Sequence, residues 1–176
     1  SYAKINLALN IVGKKERLHK IESIVSFINL YDSIYLKQIS GKNHKIVFKG
    51  KFSKNIKKKN TVINLFKLLE KNNFLNNHKF QVVIIKNIPQ QSGLGGGSMN
   101  AASLIDFFIK RKILKLSKNE LTKLTSEIGS DVILGIKPTH SILYSNNKIK
   151  KFYKKINLHT LVVKPDFGCS TKYIYS

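Results

Sequence analysis

Alternating and β-branched apolar residues dominate the first half of the chain, a pattern typical of strands. Strands are predicted at residues 1–12, 22–30, 33–39 and 45–48. The charged segment 13–18, between the first two strands, is predicted to be a loop. Within the first strand, Lys4 and Asn6 are two residues apart and therefore share one face, as a polar pair in an otherwise apolar strand.

Helical periodicity appears after residue 60. Apolar residues at positions 62, 63, 65, 66, 68 and 69 predict an amphipathic helix over 61–72, with Asn60 or Thr61 as its cap. Two further helices are predicted at 100–109 and 117–128, the second opened by a capping box. Later strands are predicted at residues 80–85, 141–144, 149–152, 160–163 and 171–175. Strands followed by helices and then by strands predict an α+β fold.

The glycine segment, IPQQSGLGGGSMNAA at residues 88–102, joins a predicted strand to a predicted helix. Four of the five residues from Gly93 to Gly97 are glycine, which permits positive φ angles and a close approach of the backbone to a ligand. Ser98 stands where the helix begins, as an N-cap or first-turn residue. Backbone N–H groups gathered at a helix start bind phosphate, so we predict a phosphate-binding loop.

Two well-known phosphate motifs do not fit the glycine segment. The Walker pattern needs Lys-Ser or Lys-Thr directly after its last glycine, whereas Ser98 and Met99 follow Gly97. The dinucleotide pattern G-x-G-x-x-G, counted from Gly93, meets Ser98 where its third glycine belongs. A plain connecting turn is the simpler alternative, but a single glycine would suffice for it. Phosphate binding is the favoured hypothesis.

The formal net charge of +23, from 32 Lys and Arg against 9 Asp and Glu, first suggests a nucleic-acid ligand. Only Arg17 and Arg111 are arginine, however, and nucleic-acid readers rely on arginine forks and aromatic platforms. The lysines are spread over nearly every segment. This distribution favours a solvated basic surface that attracts anionic small molecules, and disfavours nucleic acid as the partner.

Length and composition set further bounds. The 176 residues fit one domain, or one domain and the start of another, and 42% hydrophobic residues suffice for a buried core. No apolar run approaches the roughly 20 residues of a membrane span, so no membrane partner is expected. The single cysteine, Cys169, cannot form an internal disulfide, which favours a reducing cytoplasm. The oligomeric state is left open.

Four segments stand in an order and spacing that resemble the GHMP kinase superfamily. They are Ala3-Lys4-Ile5-Asn6-Leu7, His19-Lys20-Ile21-Glu22-Ser23, the glycine segment, and Gly129-Ser130-Asp131-Val132. The glycine segment marks the superfamily. The first and last segments are most similar to the branch that phosphorylates the 2-hydroxyl of a cytidine-diphosphate-linked methylerythritol, a small molecule of non-mevalonate isoprenoid biosynthesis.

The resemblance implies a fold and a domain organisation. The fold is that of ribosomal protein S5 domain 2, an α+β fold with a left-handed β-α-β crossover, which is an exception to the usual right-handed rule. Residues 1–157 would form the amino-terminal, ATP-binding domain. Residues 158–176 would begin a truncated carboxy-terminal domain. The implied cofactors are ATP and Mg²⁺.

The resemblance also assigns roles to individual residues. Asp131 would take the proton of the attacking hydroxyl, and Lys4 beside it would keep Asp131 ionised and neutralise nearby charge. Asn6, His19 and Tyr175 would contact the substrate, the last two at its cytosine. The ATP phosphates, bridged by Mg²⁺, would be wrapped by Pro89, Gln90, Gln91, Ser92, Gly93, Leu94, Gly95, Gly96, Gly97, Ser98 and Met99. No protein ligand is assigned to a metal.

Three departures from the family pattern keep alternatives open. Leu18 stands before His19 where the family has a tyrosine that stacks on cytosine, Met99 replaces a second serine, and the residues after Asp131 differ from the family's D-V-P-F-F. A GHMP kinase for another small alcohol, such as mevalonate or homoserine, is therefore one alternative. A basic RNA-binding module of the same fold is another, which would explain the charge but not the glycine segment.

Overall fold

The computed structural model describes residues 1–15, 18–146, 148–153 and 157–165, and of residues 14, 15, 18 and 19 only the backbone. A long antiparallel hairpin opens the chain, with β1 at Tyr2–Lys15 and β2 at Leu18–Tyr31. The loop predicted at 13–18 is wrong, because Gly13 pairs with Lys20 and the ladder continues beyond it. Backbone pairing does not depend on side-chain polarity, so charged side chains can point into water while the strands remain paired.

The remaining elements follow the predicted order. They are β3 (Ser33–Ile39), β4 (Lys45–Lys49), α1 (Thr61–Lys71), β5 (Lys79–Ile85), α2 (Gly96–Lys110), α3 (Lys118–Ile128), a 3-10 turn (Val132–Gly135), β6 (Ser141–Leu143) and β7 (Ile149–Lys151). One sheet has the strand order β1-β2-β6-β7 and the other has the order β3-β5-β4. Only β4 and β5 run parallel among the described pairs, joined through α1. The α+β prediction is confirmed; the left-handed sense of the crossover stays a prediction.

The main hydrophobic core lies between the three-stranded sheet and the helices. Alternate residues of β5, namely Phe80, Val82 and Ile84, are buried, as the period of two in a strand requires. The apolar stripe of α1 and residues of α2, including Phe108, close the core from the other side. The amphipathic pattern predicted for α1 is confirmed.

Capping residues explain where two of the three helices begin. Asn60 Oδ1 accepts the backbone N–H groups of Val62 and Ile63 at 3.1 Å each, and the predicted capping box opens α3. The helix α2 begins at Gly96, four residues before the predicted start at position 100. Glycine is a poor helix former, so the apolar pattern could not reveal this first turn. Ser98 lies in the first turn, as predicted.

The strand predicted at residues 160–163 is wrong. Residues 157–165 form no strand, and Leu161 and Val163 are 89% and 80% exposed. An apolar run becomes a strand only when a neighbouring backbone satisfies its N–H and C=O groups. The strand predicted at 171–175 lies outside the described residues, and the domain boundary near residue 157 stays a prediction.

In the part of the chain that the structure describes, no helix is long and apolar enough to cross a membrane.

The side chain of His44 is 6% exposed and contacts the backbone at the start of β5. Its Nδ1 accepts the backbone N–H of Phe80 at 3.0 Å, so this nitrogen carries no proton. Its Nε2 lies 3.2 Å from Oε1 of Glu70, which also pairs with Lys79. Burial lowers the pKa of His44 below its ordinary 6.5; the negative charge of Glu70 opposes this shift and the positive charge of Lys79 adds to it.

We expect the free energy of unfolding to fall as the pH decreases below 6.5. The unfolded chain then takes up a proton that folded His44 resists, so protons favour the unfolded state. His44→Asn keeps an acceptor for the Phe80 N–H but does not titrate, and it should flatten this dependence in urea unfolding between about pH 7.5 and pH 5. His78→Asn, at an exposed histidine, is the control and should leave the slope unchanged. An equal slope in His44→Asn and wild type would contradict the prediction.

Candidate active site

A cavity of about 520 Å³ brings together the strand β1, the glycine segment and the turn after α3. Strand alternation places Lys4 and Asn6 on one face of β1, as predicted, and Lys4 Nζ lies 3.4 Å from Asn6 Oδ1. The same ammonium lies 3.1 Å from Asp131 Oδ2. The Lys4 side chain is 8% exposed whereas that of Asp131 is 36% exposed, so the carboxylate faces the open cavity. The buried ammonium of Lys4 thus pairs with the partly exposed carboxylate of Asp131.

The glycine segment is docked onto β1 by its backbone. Lys4 N–H donates to Leu94 O at 3.0 Å, and Gly95, with a φ of +68°, is the N-cap of α2. A Cβ atom at Gly95 would lie 2.8 Å from Lys4 Cγ, closer than side-chain carbons approach. Glycine at position 95 therefore serves both the left-handed backbone and the close approach of Lys4.

Two helix amino termini converge on the cavity. α1 begins at Thr61 and α2 at Gly96, and both residues line the cavity. A Cβ atom at Gly97 would lie 2.8 Å from Thr61 Oγ1, so the two helix starts are in close contact. α2 has no side-chain cap, whereas at α1 Asn60 accepts the N–H groups of Val62 and Ile63. Both amino termini carry a positive partial charge. Together they can accommodate a negatively charged group such as phosphate.

Gln90 ties the glycine segment to the lysine-rich connector between β4 and α1. Its Nε2 amide donates to Phe52 O at 2.9 Å and to Lys54 O at 2.7 Å. Farther along this connector, Ile56 lines the cavity. The side chain of Gln90 thus positions one wall of the cavity.

Apolar side chains from two parts of the fold line the cavity. Phe48, Ile56 and Val62 come from β4, the connector and α1. Leu9, Ile21, Val25 and Leu143 come from the sheet that contains β1, together with the polar Ser23. Apolar walls with a few polar groups between them suit organic ligands.

Most of the predicted site residues line this cavity. They are Lys4, Asn6, Pro89, Gln90, Gln91, Ser92, Gly93, Gly95, Gly96, Gly97, Ser98 and Asp131. Leu94 and Met99 do not: Leu94 packs with Ala3 and Ile88, and Met99 is 2% exposed, with its sulfur close to Gly135. Met99 stands where the family pattern predicts a serine. Because residue 99 does not line the cavity, this difference does not change the side chains that line it.

The side chains of two residues predicted to contact the substrate, His19 and Tyr175, lie outside the described part of the structure. The backbone of His19 lies in β2, opposite Lys14, and nothing is described of its side chain. Tyr175 lies outside the described residues. The contacts of both residues with a substrate stay predictions.

Three buried polar residues at this site, Lys86, Asn100 and Asp32, had not been predicted from the sequence. Lys86 and Asn100 line the cavity and are 5% and 1% exposed, and Asp32 behind them is fully buried. Lys86 was hidden among the other lysines of a basic chain. Asp32 gave no signal in the sequence, because Asp is a common turn residue between two strands.

The sequence of this chain is similar to a known protein family over its middle part and to curated relatives over its whole length. The family described as GHMP kinases N terminal domain matches residues 60–140. The chain is 61% identical to the 4-diphosphocytidyl-2-C-methyl-D-erythritol kinase of Pelagibacter ubique, over 100% of this chain and 63% of that protein. It is 33% identical to the protein of the same name from Caldanaerobacter subterraneus subsp. tengcongensis, over 100% and 60%. The chain spans less than two thirds of either relative.

Solved structures share the fold. A crystal structure of 4-(cytidine 5'-diphospho)-2C-methyl-D-erythritol kinase matches with a TM-score of 0.68 at 21% identity, over 86% of this chain and 53% of that chain. A mevalonate kinase structure matches with a TM-score of 0.57 at 16% identity, over 86% and 55%. The predicted family and fold class are confirmed by these matches together. The chain belongs to the GHMP kinase superfamily and carries its amino-terminal domain.

Proposed function

We propose that the protein carrying this chain transfers the γ-phosphate of ATP to the 2-hydroxyl of 4-diphosphocytidyl-2-C-methyl-D-erythritol, in isoprenoid precursor biosynthesis in the cytoplasm. The observation that carries the proposal is the 3.1 Å contact between Lys4 and Asp131 in the cavity lined by the glycine segment. The names of relatives that are 61% and 33% identical support this acceptor. The fold alone does not select it, because mevalonate and homoserine kinases share the fold.

The proposed reaction is a direct phosphoryl transfer. The hydroxyl oxygen of the acceptor forms a bond to the γ-phosphorus, the bond from that phosphorus to the β-bridging oxygen breaks, and ADP leaves. The hydroxyl proton passes to the Asp131 carboxylate. Lys4 neutralises charge beside the attacking oxygen, while the glycine-segment N–H groups hold the phosphates. Alignment and charge neutralisation are the main demands of this reaction.

The residues present fit ATP and a Mg²⁺ ion that arrives with it. Mg²⁺ keeps several waters and is usually bound through substrate phosphates and one or two carboxylates. The Ser98 hydroxyl is a further oxygen donor that lines the cavity. The described residues hold no cluster of three or more His, Cys, Asp or Glu that could bind a metal without the nucleotide. When bound, Mg²⁺ would neutralise phosphate charge.

We predict that Lys4→Met slows transfer far more than it destabilises the fold. Met keeps the apolar stem that packs in the protein but removes the ammonium beside Asp131, and loss of one stabilising charge in an active site costs about 10²–10³-fold in kcat. Asp131 stays partly solvated, so the unfolding free energy should change by about 1 kcal/mol or less. Steady-state kinetics and urea unfolding measure the two effects.

Lys110→Met is the matched control for this substitution. Lys110 lies at the end of α2 and is 68% exposed, and it pairs with Asp106, whose side chain is 10% exposed. Its removal should leave kcat unchanged. A Lys4→Met protein with wild-type kcat would exclude the proposed role of Lys4.

The proposed activity is tested by ADP release from the full-length protein with MgATP. The cytidine-diphosphate-linked methylerythritol, mevalonate and homoserine are supplied in parallel. Turnover with the first alone is the expected result. Turnover with another alcohol would preserve the kinase and change its acceptor. No turnover with any alcohol, together with RNA binding that weakens steeply with salt and ignores ATP, would favour the RNA-binding alternative.

A further inference from the structure

Asp32 lies at the junction between β2 and β3, where the chain passes from one sheet to the other. Its side chain is fully buried. Its Oδ1 accepts the backbone N–H groups of Asn87 and Ile88 at 2.7 and 2.8 Å. Its Oδ2 accepts from the Asn100 Nδ2 amide at 3.0 Å and from the Lys86 ammonium. A carboxylate has about four lone-pair directions, so all of them are used.

These donors lie on both sides of the glycines at positions 93–97. Asn87 directly precedes the glycine segment and Ile88 is its first residue, whereas Asn100 lies in α2 beyond the glycines. Both ends of the phosphate loop are therefore attached to a single carboxylate. Hydrogen bonds to a buried charged group are stronger than those between neutral groups, and leaving such a group unpaired is costly. Asp32 thus fixes the separation of the two ends.

The same carboxylate holds a cation beneath the start of α2. Lys86 Nζ lies 3.3 Å from the point that a Cβ atom at Gly96 would occupy, and Lys86 lines the cavity. The helix amino terminus is itself positive, so an unpaired, buried ammonium at this place would be repelled and poorly solvated. Asp32 offsets both costs and lets Lys86 remain in the cavity wall.

We propose that Asp32 is a positioning residue for the nucleotide phosphates, which holds the two ends of the glycine segment together and keeps Lys86 at the cavity. Asp32 is not among the cavity-lining residues, so it acts through its partners. The inference rests on the proposed function for the identity of the ligand. The attachment of the two ends is a property of the free protein, and it can be measured without ATP.

The test compares four full-length proteins: wild type, Asp32→Asn, Asn100→Ala and the exchange variant Asp32→Asn/Asn100→Asp. The exchange variant keeps the hydrogen bond between positions 32 and 100 with its direction reversed, and it leaves a carboxylate near Lys86. Hydrogen exchange of residues 88–99 is measured in the free proteins, and MgATP binding is measured by titration. Asn100→Ala retains the ion pair and both backbone bonds, so it carries the test if Asp32→Asn fails to fold.

Both single variants should speed exchange of residues 88–99 and raise the Kd for MgATP, each by about tenfold, as the loss of one such bond predicts. In steady-state assays the KM for ATP should rise more than kcat falls. The exchange variant should recover most of the wild-type values. Leu69→Ala, in the hydrophobic core, is the control for general destabilisation. It should speed exchange across the whole fold and leave MgATP affinity unchanged.

The outcomes separate this inference from the proposed function. Wild-type exchange of residues 88–99 in Asn100→Ala, or unaltered MgATP affinity in both single variants, would overturn the positioning role. If the wild type did not bind MgATP, the proposed function would be refuted. Faster exchange of residues 88–99 in the single variants would then still show that Asp32 holds the two ends of the glycine segment together.

Discussion

Asp131→Ala is expected to slow phosphoryl transfer by about 10²–10⁴-fold, the usual contribution of a general base. The affinity for MgATP should remain close to that of wild type. Asp131 reaches the cavity from the turn after α3, whereas the backbone N–H groups proposed to hold the phosphates come from the glycine segment and the helix starts. Removing the carboxylate therefore leaves the phosphate site intact. Single-turnover kinetics and MgATP titration measure the two quantities separately.

Glu127→Ala is the matched control, because it removes an exposed carboxylate from α3 shortly before the same turn. It should retain wild-type rate and affinity. If Asp131→Ala lost MgATP affinity and transfer to the same extent, Asp131 would belong to the phosphate site and another group would have to accept the proton.

Gly95→Ala should damage both nucleotide binding and transfer. The new methyl group would lie 2.8 Å from Lys4 Cγ, so either Lys4 or the glycine segment has to move. A non-glycine residue at a φ of +68° also stores about 1–3 kcal/mol of strain. A displacement of about 1 Å in an active site can cost about 10²-fold in rate, and we expect at least this loss in kcat/KM. Steady-state kinetics with MgATP measure it.

Gly93→Ala separates the backbone strain from the clash. Gly93 has a similar φ of +72°, but a Cβ atom there would meet nothing within 4 Å. Urea unfolding should show the cost of backbone strain alone in Gly93→Ala and the cost of strain and clash together in Gly95→Ala. The loss of transfer should be much greater for Gly95→Ala. Equal loss of transfer would mean that the strain, and not the contact with Lys4, determines the effect.

Much of the fold could be predicted because its signals are local. The alternation in β5, the apolar stripe of α1 and the Ser117 capping box each lie within one short stretch of sequence, and each was found in the structure. The glycine segment could be identified for the same reason, since a backbone that must adopt positive φ has few alternatives to glycine. Local patterns can also give a wrong prediction. The apolar run at 160–163 predicted a strand, but a strand forms only where a neighbouring strand pairs with its backbone.

The buried polar contacts could not be predicted from such patterns. Asp32 meets Asn100 only because β2, β5 and α2 converge, and no short stretch of sequence records that convergence. The pairing of Lys4 with Asp131 likewise followed from a family resemblance, since neither residue type nor spacing reveals a contact between the two ends of a domain. A contact between residues far apart in the sequence can be predicted only when the fold is known.

The convergence of two helix amino termini has a consequence for selectivity. Backbone N–H groups and helix dipoles recognise the charge and size of an oxyanion, and they make no distinction between a nucleotide phosphate and a free one. Sulfate and inorganic phosphate should therefore compete with ATP for this site. The apparent Kd for MgATP in a titration should therefore rise when inorganic phosphate or sulfate is added.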